Sequence, residues 1–305
     1  MRKYVLITLS LILATTVVAE KRAMTVEDMW AMKRIGTIAL SPDGKWLAFP
    51  VTGYDMEKNS SNTDIWIMAA DGGEPKQLTF HTGFDGSPKW KPDGSGIAFL
   101  SNRSGSTQIY FLSLDGGEAR QLTHFPVDVE DFTWAPNGNK FAFTATVFAD
   151  AKDLYASSAR DKQQEQSQVK ARVIDQLLFR HWNRWTDGKR THIFICDRDG
   201  NNVVDLTPGD FDAPPLALGG DKDFVFSPDG EELAFVSNHD PMPAISTNND
   251  LFVVRLAGGE ANNITKTNKA VDNLPLYSPD GQYLVYRAMK RPGFEADQYN
   301  IILMD

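Results

Sequence analysis

The sequence predicts an all-β fold, a β-propeller whose units are four-stranded antiparallel sheets. Two observations support this prediction: a four-residue turn motif recurs along the chain, and an apolar, aromatic segment follows each copy. The motif ends in Pro-Asp-Gly or Pro-Asn-Gly and occupies residues 41–44, 91–94, 135–138, 227–230 and 278–281. Neighbouring copies are roughly 45 to 50 residues apart, with one gap of about twice that, and both spacings fit propeller blades.

Each copy of the motif has the composition of a tight turn between two strands. Proline presets φ for the second position of a type I turn, Asp or Asn suits the third, and Gly takes the left-handed conformation that closes it. We therefore expect a hairpin at every copy. The segments after the turns are rich in apolar and aromatic residues: Trp46–Phe49, Ile97–Leu100, Phe141–Phe143, Leu233–Val236 and Tyr283–Tyr286.

A second hairpin follows in each unit, formed by an apolar strand, a glycine-containing turn and a short strand that ends in Thr. The four copies lie at residues 65–79, 109–123, 192–207 and 251–265. Two hairpins make one blade, which needs neighbours to bury both of its faces. The turns at Asp71–Glu74 and Asp197–Asn201 faintly resemble calcium loops, but the ligand spacing is incomplete and the bidentate Glu is missing. We expect no metal site and no cofactor.

The repeats predict four complete blades and part of a fifth. The complete blades lie at about residues 38–79, 88–123, 131–207 and 224–265, and the fifth lies at about 274–305. The segment Tyr299–Met304 is the third strand of that last unit, so its fourth strand is missing. Because a closed propeller would not end on an unpaired blade edge, we expect the natural protein to continue beyond Asp305.

Residues 1–19 have the composition of a secretory signal peptide. Arg2 and Lys3 form a basic start, Val5–Leu13 is almost entirely apolar, and Val17 and Ala19 suit the −3 and −1 positions of a cleavage site. The apolar stretch is too short to span a bilayer. We therefore expect a periplasmic or secreted chain with no membrane attachment after cleavage.

The composition excludes several classes of function. A hydrophobic fraction of 42% and a charged fraction of 23% are typical of a soluble globular protein. The net charge of −9 and the lack of a clustered basic segment argue against nucleic acid as a partner. The single cysteine, Cys196, cannot form an intrachain disulfide, and its apolar neighbours predict a buried strand residue rather than a reactive thiol.

The repeats resemble the PD40 repeats of TolB-type propellers and of the N-terminal domains of prolyl oligopeptidase family serine peptidases. Three further segments are similar to the bacterial dipeptidyl- and acylaminoacyl-peptidases of that family. The first, within residues 20–37, predicts an N-terminal helix that leads into the first blade. The second is the Arg-His-Trp-x-x-Trp element at 180–185, in an insertion at 150–189 whose residues 153–176 predict one solvent-facing helix. The third is 286–297.

The resemblance implies that the propeller caps an α/β-hydrolase domain that follows it in the chain. That domain carries Ser in a Gly-x-Ser-x-Gly elbow, then Asp and His. No Gly-x-Ser-x-Gly occurs in these 305 residues, and the five histidines have no nucleophile partner. The expected protein hydrolyses short peptides, releasing dipeptides or N-terminal acyl-amino acids, while this part alone is not catalytic. Its expected partners are a peptide substrate and its own hydrolase domain.

Four residues of the insertion, Arg180, His181, Trp182 and Trp185, are candidates for binding the peptide. Loops and insertions on rigid scaffolds commonly carry recognition. An arginine can pair with a peptide carboxylate, and tryptophan rings can form an apolar wall. The alternative is that the tryptophans pack the insertion onto its blade while Arg180 and His181 are structural or surface residues.

Glu295 and Asp297 are a second candidate pair, because a carboxylate near the cavity could hold the free amino terminus of a peptide. Dipeptidyl-peptidases of the family often use two glutamates for this purpose. The spacing here differs, and the adjacent acids Glu130 and Asp131 precede a strand rather than lying in a helix. A solvated loop is the alternative for Glu295 and Asp297.

Two other functions stay open at this point. One is a TolB-like periplasmic propeller that binds another protein at one end, and the other is a free-standing propeller that binds a sugar or another ligand. TolB would place an α/β domain before the first blade, where this chain has no room for one. The Arg-His-Trp element argues against a general ligand-binding propeller.

Overall fold

The structure is a computed structural model that describes residues 22–175, 177–216 and 223–305. The predicted signal peptide lies outside the described residues. The described chain is all-β, as predicted, and forms five antiparallel sheets in sequence order and one separate hairpin. No helix in these three ranges has both the length and the apolar run that a membrane crossing needs.

A short helix, α1 (Val26–Ala31), precedes the first sheet. Thr25 caps it: its hydroxyl accepts the N–H of Asp28, and the Asp28 carboxylate accepts the N–H of Thr25. The helix occupies only part of the segment 20–37, because the next residues already pair with the sheet. The strands of the first sheet are β1 (Arg34–Ile35), β2 (Ala39–Leu40), β3 (Trp46–Asp55), β4 (Ser60–Ala69) and β5 (Lys76–Gln77).

The second and third sheets each have four strands in the order of the chain. Between the second and third strands of the third sheet lie a helix, α2, and a separate two-stranded hairpin. The elements in order are β6 (Asp85–Trp90), β7 (Gly96–Ser101), β8 (Gln108–Ser113), β9 (Arg120–Gln121), β10 (Asp131–Trp134), β11 (Lys140–Phe148), α2 (Leu154–Gln166), β12 (Arg180–His181), β13 (Arg184–Trp185), β14 (Lys189–Asp197) and β15 (Val204–Asp205).

The fourth sheet also has four strands in chain order, whereas the fifth has three. A 3₁₀ turn at Pro243–Ile245 interrupts the connection between the second and third strands of the fourth sheet. The strands are β16 (Phe224–Phe226), β17 (Glu232–Ser237), β18 (Asp250–Arg255), β19 (Asn262–Asn263), β20 (Asp272–Tyr277), β21 (Leu284–Ala288) and β22 (Asn300–Met304).

The helix predicted over residues 153–176 is too long, because α2 ends at Gln166. Asp153 caps its start by accepting the N–H of Ala156. At its end, the hydroxyl of Ser167 accepts the N–H of Val169, a local turn that competes with the helical hydrogen bond. The sequence prediction weighed the polar composition of the segment and missed this turn.

The recurring turns have the geometry that their composition requires. The five turn glycines have φ between 67° and 73°, in the left-handed region. In three turns a serine hydroxyl donates to the turn aspartate and accepts a backbone N–H; in the first turn Ser41 Oγ lies 2.6 Å from Asp43 Oδ1 and 2.9 Å from the N of Trp46. The side chains therefore close the hairpin together with the backbone.

A threonine in each of the first four sheets ties the outermost strand to its neighbour. Its hydroxyl accepts the backbone N–H of the residue that starts the apolar part of the third strand, at 2.9 Å in every case. The four threonines are Thr79, Thr123, Thr207 and Thr265. This contact explains why the repeated second hairpin ends in Thr.

The core lies between successive sheets. Buried apolar residues form clusters that join the first sheet to the second, the second to the third, the third to the fourth and the fourth to the fifth. The turns pack similarly: a methyl group on Gly138 would lie 3.5 Å from Pro92, one on Gly230 would lie 3.5 Å from Pro136, and one on Gly281 would lie 3.7 Å from Pro228. Consecutive sheets are thus stacked face to face.

Cys196 is a buried strand residue, as predicted. Burial raises the pKa of its thiol to about 12, so the reactive thiolate is not populated near neutral pH.

Candidate functional site

A cavity of about 770 Å³ lies where the first strands of the second to fifth sheets meet. We call it the central cavity. Strands β6, β10 and β16, with the start of β20, form much of its wall, and the segment 214–216 covers part of it. Its described charged lining residues are Lys89, Glu130, Asp131 and Asp223.

Lys89 crosses from the second sheet to the third at the cavity wall. Its ammonium nitrogen is 2.5 Å from Asp131 Oδ1, it donates to the carbonyl oxygen of Phe132, and it lies 4.8 Å from the centre of the Phe132 ring. The side chain is only 10% exposed, so the contact is largely screened from water. This ion pair fixes the distance between the two sheets.

The acids of the third sheet are held by threonines. The hydroxyl of Thr146 donates to Glu130 Oε1 at 2.6 Å, and the backbone N–H of Asp131 donates to the hydroxyl of Thr144 at 3.0 Å. The threonines therefore position the Glu130 carboxylate and the backbone of Asp131, while Lys89 holds the Asp131 carboxylate.

Asp223 ties the fourth sheet to the fifth. Its Oδ1 accepts the N–H of Leu274 at 3.0 Å. Leu274 has φ of 54°, and Ser87, also in the wall, has φ of 51°. Both residues lie at a shift in strand register, Leu274 in β20 and Ser87 in β6. Bulges of this kind change the direction of the strand and are common next to functional sites. The wall is thus built from two equivalent irregular strands and two regular ones.

The charges of the wall suit a ligand with N–H groups or positive charge. Three carboxylates and one ammonium are named above, and the ammonium already pairs with one of the carboxylates. A cleft of mainly one sign concentrates ligands of the opposite sign. Prolines and Leu216 supply the apolar part of the lining.

The predicted residues of the insertion lie on the separate hairpin, outside the central cavity wall. Arg180 pairs with Trp185 and His181 with Arg184, and Trp182 is at the turn with φ of 49°. Trp182 is 73% exposed. The structure brings His181 and Trp182 together, with ring centroids 6.4 Å apart. Their assignment to peptide binding stays a prediction.

Trp185 takes part in packing the hairpin. Phe179 stacks on it at 6.0 Å between centroids, and the guanidinium carbon of Arg172 lies 4.5 Å from its ring centre. The Nε of Arg172 is in turn 2.7 Å from Asp187 Oδ1. These contacts all lie within the insertion, so the role of Trp185 in peptide binding or in packing onto the blade stays a prediction.

Glu295 and Asp297 lie in the loop between β21 and β22, and neither lines the central cavity. Asp297 organises this loop: its Oδ2 accepts the N–H groups of Lys290 and Arg291, each at 2.9 Å, and these bonds lower its pKa. Glu295 is exposed. The role of both residues in binding an amino terminus stays a prediction.

One buried histidine has hydrogen-bond partners within the fold at both ring nitrogens. His192 is 1% exposed, its Nδ1 is 2.7 Å from Asp205 Oδ2, and its Nε2 is 2.9 Å from the carbonyl oxygen of Gly209. Burial opposes protonation of the ring, but the Asp205 carboxylate and the Gly209 carbonyl raise its pKa overall. Only the protonated ring can donate hydrogen bonds from both nitrogens, which agrees with a raised pKa of His192.

The sequence analysis did not single out Lys89 or Asp223 as site residues, and it set Glu130 and Asp131 aside. A usable signal was present, because all four charges precede or lie in the first strand of a blade, next to the repeated turn. Charged residues in a strand that faces the axis of a propeller are candidates for the cavity wall.

Comparison with known proteins gives one family match over part of the chain. Residues 28–172 match the PD40 family, described as the TolB beta propeller domain. The match covers a little under half of the chain. Among solved structures, acylaminoacyl peptidase from Pyrococcus horikoshii matches 90% of the chain with a TM-score of 0.64 and 14% identity, over 38% of its own length. A putative TolB from Agrobacterium tumefaciens matches 90% with a TM-score of 0.55 and 18% identity, over 77% of its length.

The curated relatives are peptidases. Dipeptidyl-peptidase 5 of Porphyromonas gingivalis is 32% identical over 92% of this chain, and the match covers 41% of that protein. The dipeptidyl-peptidase 5 of Porphyromonas endodontalis is 29% identical over 94% of this chain, again with 41% of its own length. The chain thus spans about two fifths of the length of the relatives it matches.

Proposed function

We propose that this chain is the propeller part of an exported serine peptidase that hydrolyses short peptides and releases dipeptides or N-terminal acyl-amino acids. One observation carries the proposal: similarity to dipeptidyl-peptidase 5 extends over 92% of the chain but only 41% of the relative. The remaining length has room for further blades and a hydrolase domain with the Ser, Asp and His. The 305 residues themselves supply access control and binding rather than catalysis.

The two outer sheets support the presence of further blades. The outward faces of the first and fifth sheets are apolar and exposed, and in soluble proteins such faces pack on another layer. The exposed residues are Ile35, Ile38, Leu40 and Trp46 in or near the first sheet, and Leu276, Tyr283, Ile301 and Leu303 in the fifth. We therefore count four complete blades and a partial fifth, with the insertion in the third.

The central cavity is the proposed passage or chamber wall for the peptide. Carboxylates at its surface can accept hydrogen bonds from peptide N–H groups and attract a free amino terminus. The insertion hairpin, with Trp182 and Arg180 exposed, is the proposed contact with substrate or with the hydrolase domain. The proposed location is the periplasm or the medium, because of the signal-like residues 1–19.

The reading frame beyond codon 305 of the natural gene tests the proposal first. We expect two or three more blades, then a Gly-x-Ser-x-Gly elbow. The protein from that whole frame should cleave a dipeptidyl or acyl-aminoacyl reporter and react with a fluorophosphonate probe, whereas residues 20–305 alone should do neither. A stop codon after Asp305, with the purified chain soluble and monomeric, would overturn the proposal.

The hairpin is tested in the same whole protein with Trp182→Ala and Arg180→Gln. If they hold the peptide, KM rises about tenfold, the equivalent of one lost contact, while kcat changes little. Phe80→Ala is the matched control, since Phe80 is also an exposed aromatic residue, 75% exposed against 73% for Trp182. Unchanged KM in both hairpin variants would assign the hairpin to packing alone.

A TolB-like interaction propeller is the second candidate, because the matching family carries the TolB description. It predicts a stop after the propeller and a stable complex with another exported protein. Capture of one defined partner at one end of the propeller, together with no peptidase activity in the whole protein, would favour it.

A further inference from the structure

Two of the interfaces between sheets hold a pair of buried aspartates. At the first interface Asp64 lies in the buried part of β4 and Asp85 begins β6; at the fourth interface Asp250 begins β18 and Asp272 begins β20. In each case the locking threonine lies beside the first acid: Thr79 Oγ1 is 3.3 Å from Asp64 Oδ1, and Thr265 Oγ1 is 3.4 Å from Asp250 Oδ1.

The two interfaces in between do not repeat this pair. In place of the first acid they have Gln108 and His192, and the residues in place of the second acid are Val129 and Ala213. Backbone hydrogen bonds show that Val129, Ala213 and Asp272 occupy equivalent positions. Each of these residues donates its N–H, at 2.8 Å, to the carbonyl oxygen of the residue just before the first buried residue of the third strand. The acid pairs are therefore a property of two particular interfaces.

The first interface contains a cation. The Nη2 of Arg103 lies 2.6 Å from Asp85 Oδ2, and its Nε lies 2.9 Å from the hydroxyl of Ser101. The guanidinium also faces the rings of Phe99 and Tyr110, at 5.6 Å and 5.0 Å. One positive charge is thus fixed next to two buried carboxylates.

The fourth interface has no such cation among the described residues. Asp272 is fully buried; Asn268 donates to its Oδ1 at 2.9 Å, while its Oδ2, like Asp85 Oδ1 at the first interface, has no hydrogen-bond partner. The position equivalent to Ser101 is Ala288, and the position equivalent to Arg103 is Lys290, which is exposed. A buried carboxylate with an unpaired oxygen is costly, whereas the protonated acid is not.

The groups around Asp272 act in the same direction. Strands β16, β17, β18 and β21 pack against β20. Asp250 faces it from β18 and the buried phenol of Tyr286 from β21, while His239 interacts with Asp250. Burial raises the pKa of Asp272 to about 6, the Asp250 charge adds to this, and hydrogen bonds from Asn268 and Thr265 oppose it.

The strand that begins with Asp272 also forms part of the cavity wall. Two residues later Leu274, in the irregular part of β20, donates its N–H to Asp223 at the wall. A change in the packing of Asp272 against the fourth sheet therefore acts on the segment that lines the central cavity.

We propose that Asp250 and Asp272 form a proton-operated latch between the fourth and fifth sheets. With a proton on Asp272 the fifth sheet is tight against the fourth. When that proton leaves, a second negative charge is buried near Asp250 without a cation among the described residues, and the interface and the adjoining cavity wall loosen. At the first interface burial and the Asp85 charge also raise the pKa of Asp64, but the Arg103 guanidinium opposes this rise, so we expect that interface to respond less to pH. The proposal is independent of peptidase activity.

The sign of the pH effect follows from the raised pKa of Asp272. In the unfolded chain the carboxyl ionises near pH 3.8, while in the folded chain it stays protonated to about pH 6. Stability is therefore unaffected by this group below about pH 4 and falls as the pH rises through the interval up to about pH 6.

The test is the thermal midpoint of the whole chain and of Asp272→Asn between about pH 4.5 and pH 7.5. The amide has the shape of the protonated acid and no charge. We expect the variant to unfold several degrees higher than the unchanged protein near pH 7.5 and at nearly the same temperature near pH 4.5. Backbone hydrogen exchange at residues 272–276 should slow in the variant at the higher pH.

Asp85→Asn is the matched control, because it removes the partner of Arg103 and should lower the midpoint at both pH values. The proposal is overturned if Asp272→Asn lowers the midpoint near pH 7.5 as Asp85→Asn does. A second readout needs no folding comparison: the difference between the infrared carboxyl bands of the unchanged protein and of Asp272→Asn should be present at pH 5 and vanish by pH 7. The difference isolates Asp272, because burial also raises the pKa of Asp64 and of Asp212. Identical carboxyl bands in the two proteins at pH 5 would contradict the assignment.

Discussion

The first and the fourth interface between sheets accommodate a pair of buried aspartates in two different ways. Both bury two aspartates around a threonine hydroxyl, but Arg103 supplies a fixed charge at the first interface, and the proposed latch uses a proton at the fourth. The difference shows that repeated units with the same backbone can carry different electrostatics at equivalent positions. A fixed cation opposes the rise in pKa of a buried acid, as Arg103 does for Asp64, whereas an interface without a cation depends on a proton.

The largest effect is expected when the first interface loses its cation. Arg103→Met leaves Asp85 and Asp64 facing each other, and breaking a buried pair by removing one partner costs about 3–5 kcal/mol. The stability of this variant should fall further as the pH rises, as at the fourth interface. Chemical unfolding at two pH values measures this, and a loss that is equal at both would mean that the pair matters only for packing.

The reverse exchange should give the fourth interface the properties of the first. The double variant Ala288→Ser and Lys290→Arg places the hydroxyl and the guanidinium at positions equivalent to Ser101 and Arg103. We expect the pH dependence of stability between about pH 4 and pH 7 to become flatter, with Lys290→Arg alone as the control. An unchanged pH profile would show that the loop after β21 holds the arginine away.

The locking threonines allow a smaller, paired comparison. Thr79→Val and Thr265→Val each leave a buried N–H, of Ile65 or Leu251, without its acceptor, at a cost of about 1–3 kcal/mol. Thr265 also lowers the pKa of Asp272, and Thr79 lowers that of Asp64, so both variants should lose additional stability as the pH rises. A loss of stability that is the same at all pH values in either variant would contradict this role.

The smallest effect is expected in the loop between β21 and β22. Asp297→Asn weakens the two hydrogen bonds from Lys290 and Arg291 without touching the core. Hydrogen exchange at residues 290–297 should become faster while the thermal midpoint stays the same. The unchanged protein should show the same loosening as the pH falls and Asp297 takes up a proton, because its pKa is lowered in the fold.

The fold was largely predictable from the sequence because its information is local and repeated. The turns of the Ser-Pro-Asp-Gly type specify a hairpin within a few residues, and the apolar segments after them form largely buried strands. The end of α2 was not predictable from composition, since it depends on the Ser167 hydroxyl taking the N–H of Val169.

The site was less predictable because its parts come from different sheets. Lys89 meets Asp131 across 42 residues, and Asp223 meets Leu274 across 51. Neither spacing is a motif, and each contact arises only when neighbouring sheets stack. The hairpin residues Arg180 and Trp182 show the opposite case. They belong to a specific local sequence pattern, but the pattern does not tell which surface of the protein they face.

The contacts between successive turns have a consequence for how the molecule is assembled. From the third sheet onward, the glycine of each turn lies near the proline of the turn before it, with nearly the same spacing of 3.5, 3.5 and 3.7 Å for an added methyl group. Nearly equal spacing at three successive interfaces indicates that neighbouring sheets stack with similar geometry. A side chain much larger than a methyl group at one of these glycines would press on the turn before it and alter the stacking of those two sheets.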